Sequence, residues 1–192
     1  MAPGDPLSIL QESLRGAPII WKGDYPYFIH PISDGIPRMD PDVLRATRDL
    51  IVSSVDWSQV DLIVTVEAMG LPLLAAVGDA TGKPTVVIRK RSYGMEGETR
   101  VDVATGYSQS TVYINDIKPG ERIVIVDDVI STGGTLEPLL QQLEDMGVIL
   151  QDIVIAIEKG EGRERLAKER PDWPIRTLAR IDIINGKVEI IE

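Results

Sequence analysis

Short runs of β-branched and other apolar residues alternate along this chain with segments of helical periodicity. The runs are DLIVTV, PTVVIR, STVYIN, RIVIVD and DIVIAIE, at residues 61–66, 84–89, 110–115, 122–127 and 152–158. Because each run is apolar at consecutive positions, it predicts a strand that is covered on both faces. Such strands with helices between them predict an α/β fold, with a mainly parallel twisted sheet and helices on both faces.

Two of the intervening helices have clear sequence signals. Asp40 is a good N-cap residue and Pro41 follows it at the first helical position, so a helix is predicted to begin there. A second helix, ended by Gly147, is predicted from five apolar residues at helical spacing, namely Leu136, Leu139, Leu140, Leu143 and Met146.

The length of the chain, 192 residues, suits one domain with a substantial core. The alternation of strands and helices runs over about residues 41–158, which we predict to form that core. Residues 1–40 and 159–192 contain several prolines and interrupt the alternation. We predict that these two segments form a small hood over one end of the sheet.

Composition disfavours several classes of function. With 20 Lys and Arg against 30 Asp and Glu, the net charge of -10 disfavours nucleic-acid binding, which relies on a basic face. The chain has no cysteine and one histidine, which excludes a disulfide framework and a Cys/His zinc site. The sequence shows neither a secretory signal nor a long apolar run, so we expect no membrane contact and a cytoplasmic location.

The run at 122–127 leads into the most informative segment. Asp127 and Asp128 stand at its end, followed by a turn rich in glycine and hydroxyl groups, made of Ser131, Thr132, Gly133, Gly134 and Thr135. Glycines allow close backbone approach and the N-terminus of the next helix attracts anions, so the turn is typical of a phosphate site. The carboxylates can accept hydrogen bonds from a sugar diol or help hold Mg²⁺. Ribose 5-phosphate fits both halves; a strand-to-helix turn without a ligand is the alternative.

Two other strand ends carry related signals. Arg89, Lys90 and Arg91 form a cationic cluster in an acidic chain, which suits a pyrophosphate with Mg²⁺; a solvated strand end is the alternative. Residues 67–70, EAMG, can present backbone N–H groups to the same anion. Residues 91–109 are long for a connection without secondary structure, which predicts a lid or, alternatively, a surface loop.

The segment VIVDDVISTGGT, residues 124–135, resembles the PRPP-binding signature of type I phosphoribosyltransferases, where PRPP is 5-phosphoribosyl 1-pyrophosphate. The resemblance extends over about residues 20 to 185. VEAMGLPLL at 66–74 is similar to the pyrophosphate loop of that family, and VVIRKRSYGMEGE at 86–98 to its second strand and mobile loop. The segment at 23–46 is most similar to the archaeal hypoxanthine(-guanine) phosphoribosyltransferase group.

The resemblance implies a homodimeric, Mg²⁺-dependent glycosyltransferase of purine salvage that exchanges the pyrophosphate of PRPP for a purine base. It implies that Asp127 and Asp128 are the catalytic pair, contacting ribose hydroxyls or Mg²⁺ through water, and that the turn holds the 5-phosphate. The implied pyrophosphate-binding residues are Glu67, Ala68, Met69, Gly70, Arg89, Lys90 and Arg91. The implied base-binding residues are Val129, Ile130 and Lys159.

The choice of base is predicted from Lys159. Its ammonium can only donate, so it favours O6 of hypoxanthine or guanine over the amino group of adenine. Adenine and then xanthine are the alternatives. Ser131 stands where many hypoxanthine-guanine enzymes carry an aspartate, so the general acid or base stays unassigned. A PRPP-binding regulator without catalysis is the alternative from another class, although the chain has no basic face for DNA.

Overall fold

The computed structural model of the protein describes residues 4–23, 25–104 and 109–191. Its helices are α1 (Pro6–Arg15), α2 (Pro31–Asp34), α3 (Pro41–Ser54), α4 (Gly70–Thr81), α5 (Leu136–Asp145) and α6 (Gly162–Glu169). Its strands are β1 (Ile19–Lys22), β2 (Tyr25–Phe28), β3 (Leu62–Val66), β4 (Thr85–Ile88), β5 (Thr99–Ala104), β6 (Gln109–Ile114), β7 (Arg122–Ile130), β8 (Ile149–Lys159), β9 (Ile175–Ile184) and β10 (Lys187–Ile191).

Six strands form the central sheet, in the order β10, β9, β8, β7, β3 and β4. The pairs from β9 to β4 are parallel, and β10 pairs antiparallel with β9 at one edge. The predicted α/β fold with a mainly parallel sheet is therefore confirmed. Because parallel strands end at the same side, the carboxyl ends of β3, β4, β7 and β8 meet at one edge of the molecule.

Both faces of the sheet are covered. In β7, Ile123 and Ile125 belong to one buried cluster, whereas Val124 and Val126 belong to the other. Residues of α5 and α6 complete the first cluster, and residues of α1, α3 and α4 complete the second. This arrangement explains why the sequence of β7 is apolar at consecutive positions.

The two helix signals are confirmed. The Asp40 side chain caps α3 by accepting a hydrogen bond from the Asp42 N–H at 2.8 Å, and Pro41 is the first residue of the helix. The second predicted helix is α5, which ends just before Gly147. Gly147 has a φ of +78°, a left-handed conformation that favours glycine after a helix.

Residues 110–115 form a strand as predicted, but the expectation that this strand joins the central sheet is wrong. β6 pairs antiparallel with β5 in a separate two-stranded sheet rather than joining the central sheet. Its buried residues Val112 and Ile114 alternate with half-buried ones, which is the pattern of a strand covered on one face. The segment 91–109, predicted to be a lid or loop without secondary structure, contains β5; its residues 105–108 lie outside the described part.

The predicted hood differs from the structure on its C-terminal side. β9 pairs in parallel with β8, so residues 175–184 belong to the central sheet, and β10 extends it. Charged residues alternate with apolar ones in this segment, which hid it from a search for continuous apolar runs; they include Arg176, Arg180 and Asp182. The N-terminal segment forms a hairpin of β1 and β2 with α1 and α2, and α2 contacts β7 and α4.

Candidate active site

The central strand β7 carries the predicted acid pair towards the predicted phosphate turn. β7 continues to Ile130, beyond the predicted end at residue 127, so Asp127 and Asp128 lie within the strand. Residues 131–135 form the turn, and α5 begins at Leu136. Gly133 has a φ of +78°, which explains the need for glycine at this position.

A cavity of about 440 Å³ lies at the carboxyl ends of the strands, a volume within the range of small-molecule sites. The structure brings together in its lining all the residues predicted to bind ribose, 5-phosphate and base, which are Asp127, Asp128, Val129, Ile130, Ser131, Thr132, Gly133, Gly134, Thr135 and Lys159. The seven residues predicted for pyrophosphate do not belong to this lining; they lie on the neighbouring strand ends.

The N-terminal segment closes the cavity with residues that the sequence did not single out. Tyr27, Phe28 and Ser33 all belong to the lining. The Tyr27 hydroxyl donates to Oδ1 of Asp34 at 2.8 Å, which fixes the ring at the cavity wall. The resemblance of residues 23–46 to the archaeal group pointed to this segment, but it did not indicate which of its residues line the cavity.

Burial and mutual repulsion affect the acid pair. Asp127 accepts a hydrogen bond to Oδ1 from the Asp128 N–H at 3.0 Å. Burial raises the pKa of Asp127, although its hydrogen bonds with Asp128 and the charge of Lys90 act in the opposite direction. Burial, followed by the charge of Asp127, raises the pKa of Asp128 well above its usual 3.8. Two such carboxyls favour a divalent cation or a hydrogen-bond donor in the cavity.

Helix α6 supports the phosphate turn from outside the cavity. The Gly162 N–H donates to the Ser131 carbonyl oxygen at 2.9 Å. A Cβ on Gly162 would lie 2.3 Å from that oxygen, 2.6 Å from the Thr132 carbonyl carbon and 2.7 Å from the Gly133 nitrogen, so only glycine allows this approach. Arg165 Nη2 also donates to the Thr132 carbonyl oxygen at 3.3 Å. The sequence gave no signal for Gly162 or Arg165, which lie in the predicted hood.

The loop after β3 passes close to the acid pair. A Cβ on Gly70 would lie 1.8 Å from Thr65 Oγ1 and 2.8 Å from Asp127 Oδ1, so glycine is needed for the close approach. The Thr65 hydroxyl is buried and makes no hydrogen bond among the described residues. The loop predicted for pyrophosphate and the carboxylates predicted for ribose are therefore neighbours.

The basic residues after β4 already have partners. Glu67 Oε1 accepts a hydrogen bond from the Lys90 N–H, and Glu67 Oε2 lies 3.0 Å from Arg89 Nε. Arg91 Nη2 donates to the Tyr93 hydroxyl at 2.9 Å, and its guanidinium carbon lies 5.0 Å from the centre of that ring. The predicted cationic cluster therefore contacts the Glu67 carboxylate, whereas the sequence predicted only a backbone role for Glu67.

Lys159 is the last residue of β8 and is 8% exposed. Its Nζ donates to the Pro26 carbonyl oxygen of β2 at 2.6 Å. The contact places the ammonium between the sheet and the N-terminal hairpin, at the wall of the cavity.

His30 has a structural position. Its Nδ1 accepts a hydrogen bond from the Ile32 N–H at 3.2 Å, which caps α2, and its Nε2 lies 3.0 Å from Ser13 Oγ. Burial lowers the pKa of His30 to about 4, so the ring is neutral at physiological pH. A neutral imidazole suits this capping role.

The described helices and acidic side chains bear on contact with membranes and on metal binding. None of the helices in the described ranges combines the length and the apolar character needed to cross a membrane. The same part of the chain holds no group of three or more His, Cys, Asp or Glu side chains placed to bind a metal ion.

Comparison with known protein families decides the assignment. The family model described as the phosphoribosyl transferase domain matches residues 38–184. The chain belongs to the phosphoribosyl transferase family. The matched range contains the acid pair, the phosphate turn, the loop after β3 and the basic residues after β4, so the predicted resemblance is confirmed.

Relatives in this family cover nearly the whole chain. A protein of Methanocaldococcus infernus named hypoxanthine/guanine phosphoribosyltransferase is 49% identical over 181 residues, which are 94% of this chain and 98% of the relative. A protein of the same name from Ferroglobus placidus is 49% identical over 186 residues, covering 97% and 98% of the two chains. Both matches extend over nearly the full length of the two chains.

Solved structures of the family confirm the fold. The adenine phosphoribosyltransferase of Thermoanaerobacter pseudethanolicus has a TM-score of 0.74 at 22% identity, covering 91% of this chain and 99% of its own. The enzyme of the same name from Trypanosoma brucei has a TM-score of 0.75 at 19% identity, with coverages of 94% and 81%. At these identities the similarity shows the phosphoribosyltransferase fold alone.

Proposed function

We propose that this protein is a purine salvage phosphoribosyltransferase that transfers the phosphoribosyl group of PRPP to a 6-oxopurine. Hypoxanthine is the first candidate base and guanine the second. The observation that carries the proposal is the single cavity whose wall combines the acid pair, the hydroxyl-rich turn and Lys159. The names of the archaeal relatives support the same bases.

The turn supports the assignment of the 5-phosphate. It stands at the N-terminus of α5, where the helix dipole and unpaired N–H groups favour an anion. Thr135, at the N-cap position, makes no side-chain capping bond within the described structure. The Gly134 N–H donates to Thr132 Oγ1 at 3.4 Å, and the Glu137 N–H donates to the Gly133 carbonyl oxygen at 2.9 Å. The hydroxyls of Ser131 and Thr132 add two donors beside them.

The acid pair supports the assignment of the ribose. Asp127 and Asp128 can accept hydrogen bonds from the ribose hydroxyls, directly or through water. Burial raises the pKa of both carboxyls, and the charge of Asp127 adds to the rise at Asp128. A nearby cation would favour their charged forms, so the pair fits Mg²⁺ held through water. When bound, Mg²⁺ supplies positive charge for the departing pyrophosphate.

The reaction breaks the bond from ribose C1 to the pyrophosphate oxygen and forms a bond from C1 to a purine ring nitrogen, which loses its proton. The residues assigned to the pyrophosphate are Arg89, Lys90 and the loop 67–70, because they supply cations and backbone N–H groups at the neighbouring strand ends. The protein orients the base and excludes water from the cationic ribose. The residue that accepts the proton stays unassigned, since Ser131 cannot take that role as an aspartate would.

Lys159 supports the choice of a 6-oxopurine. Its ammonium lies at the cavity wall and donates to the Pro26 carbonyl oxygen, and because an ammonium can only donate, it suits the acceptor O6. The amino group of adenine would meet the same ammonium donor to donor. Val129 and Ile130 provide apolar surface for the base at the same wall.

A panel of bases tests the proposal. The protein is incubated with PRPP, Mg²⁺ and hypoxanthine, guanine, adenine or xanthine in turn, and nucleotide formation is followed by chromatography. We expect inosine and guanosine monophosphates, and loss of activity with EDTA. Preferred use of adenine or xanthine would replace the base assignment. PRPP binding without any nucleotide would indicate a non-catalytic regulator.

Three expectations from the sequence remain predictions alongside this proposal, namely the homodimer, the cytoplasmic location and the absence of nucleic-acid binding. Size-exclusion chromatography with light scattering measures the first. The net charge of -10 supports the third, because it opposes contact with phosphate backbones.

A further inference from the structure

The basic end of β4 is occupied by a carboxylate of the same chain. Glu67, directly after β3, accepts a hydrogen bond at Oε1 from the Lys90 N–H. Its Oε2 lies 3.0 Å from Arg89 Nε, with the two side chains 15% and 32% exposed. An ion pair this far buried is only partly screened by salt.

The groups that Glu67 contacts are those that a phosphate anion would use. A backbone N–H and a guanidinium at a strand end are strong, charge-assisted donors to phosphate oxygens. Arg89 Nε is buried, and although it is close to Glu67 it has no aligned hydrogen-bond acceptor among the described residues. The carboxylate therefore compensates the charge of Arg89 but does not accept an aligned hydrogen bond from its Nε–H.

We propose that the Glu67 side chain is a resident anion: it occupies the pyrophosphate-binding site at Arg89 and Lys90 and leaves this site when the pyrophosphate end of PRPP binds. The inference rests on the proposed function, which assigns pyrophosphate to this strand end. Return of the carboxylate to Arg89 and Lys90 opposes rebinding of the free pyrophosphate product. Glu67 thus lowers the affinity of this site for pyrophosphate and promotes product release.

A purely supporting role predicts the opposite sign. If Glu67 only held Arg89 and the Lys90 backbone in place for the anion, its loss would disorder the donors and weaken pyrophosphate binding. If it competes for them, its neutralisation strengthens pyrophosphate binding, because a neutral amide is a weaker acceptor than a carboxylate.

Titration calorimetry with inorganic pyrophosphate, with and without Mg²⁺, distinguishes these roles. Glu67→Gln should bind pyrophosphate about tenfold more tightly than wild type, a difference of about 1.4 kcal/mol. Glu67→Asp keeps the charge but is too short to reach both donors, so it should show a smaller gain and serves if the amide variant is unstable. Glu12→Gln is the control, because it changes the net charge by the same amount at an exposed ion pair with Arg15. It should leave pyrophosphate binding unchanged.

The readout needs neither a purine nor turnover, so it separates this inference from the proposed function. Equal or weaker binding by Glu67→Gln, with wild type binding pyrophosphate, would overturn the resident-anion role and leave phosphoribosyl transfer intact. Failure of wild type to bind pyrophosphate would overturn both. Product inhibition offers a second readout, since pyrophosphate should inhibit Glu67→Gln at lower concentration while KM for the base is unchanged.

Discussion

Gly162 gives a sharp test of how the phosphate turn is held. In Gly162→Ala the added Cβ would lie 2.3 Å from the Ser131 carbonyl oxygen, whereas ordinary contacts begin at 3.4 Å. Either the turn or the start of α6 must therefore move by about 1 Å, and a misplacement of this size can reduce catalysis by about 100-fold. Because the turn binds the 5-phosphate in our proposal, we expect kcat/KM for PRPP to fall by about that factor, or about 2.7 kcal/mol.

The assay is steady-state kinetics with PRPP varied at saturating hypoxanthine, together with thermal unfolding of both proteins. Gly16→Ala is the matched control, because its Cβ would meet only the Ser13 carbonyl oxygen at 4.0 Å and its φ is -84°. We expect that variant to keep wild-type kinetics. A Gly162→Ala enzyme with lower thermal stability but kcat/KM for PRPP within about twofold of wild type would show that α6 moves instead, and would refute the role of Gly162 in positioning the turn.

Two further predictions concern the acid pair and the base. The double variant Asp127→Asn, Asp128→Asn should abolish most turnover yet raise the melting temperature of the ligand-free protein at neutral pH. The reason is that the folded wild type loses stability as pH rises from about 3.8 through the raised pKa values of the two carboxyls. Melting temperatures that respond equally to pH in both proteins would contradict this. Lys159→Gln should narrow the preference for hypoxanthine over adenine by about 1–3 kcal/mol in kcat/KM, and an unchanged ratio would mean that another group recognises position six.

Sequence predicted the site where its residues are consecutive. Residues 127–135 come from one strand, one turn and one helix start, so local chemistry was enough to place them together. Lys159 was placed by the resemblance to the family, and the parallel pairing of β8 with β7 brings it to the same edge of the sheet.

Contacts between distant segments could not be predicted in the same way. Gly162 and Arg165 support the turn from a helix that follows another strand, and Tyr27 reaches the cavity from the N-terminal hairpin. The search for apolar runs missed β9 because three of its ten residues are charged. Arg176, for example, pairs with the buried Asp152 of β8 at 2.7 Å. Such pairs make a polar position compatible with a central sheet, and the sequence alone does not reveal the partner.

The Glu67 contacts belong to the same class. Glu67 stands three residues before Gly70 in the segment EAMG, which suggested a loop built from backbone donors. Only the parallel pairing of β3 with β4 brings its carboxylate to Arg89 and Lys90. The motif contains Glu67, but only the structure shows that its negative charge contacts the basic residues of the predicted anion site.

The central claim is that the turn at 131–135 binds the 5-phosphate of the substrate, and calorimetric titration of Thr132 variants tests it most directly. Thr132→Val keeps the shape and deletes one hydroxyl, whereas Thr132→Ser keeps the hydroxyl and is the control. We predict that Thr132→Val loses about 0.5–3 kcal/mol of affinity for inosine 5′-monophosphate, while its affinity for inosine, which lacks the phosphate, is unchanged. Equal losses for the nucleotide and the nucleoside would contradict the account and show that the turn is only a connection between β7 and α5.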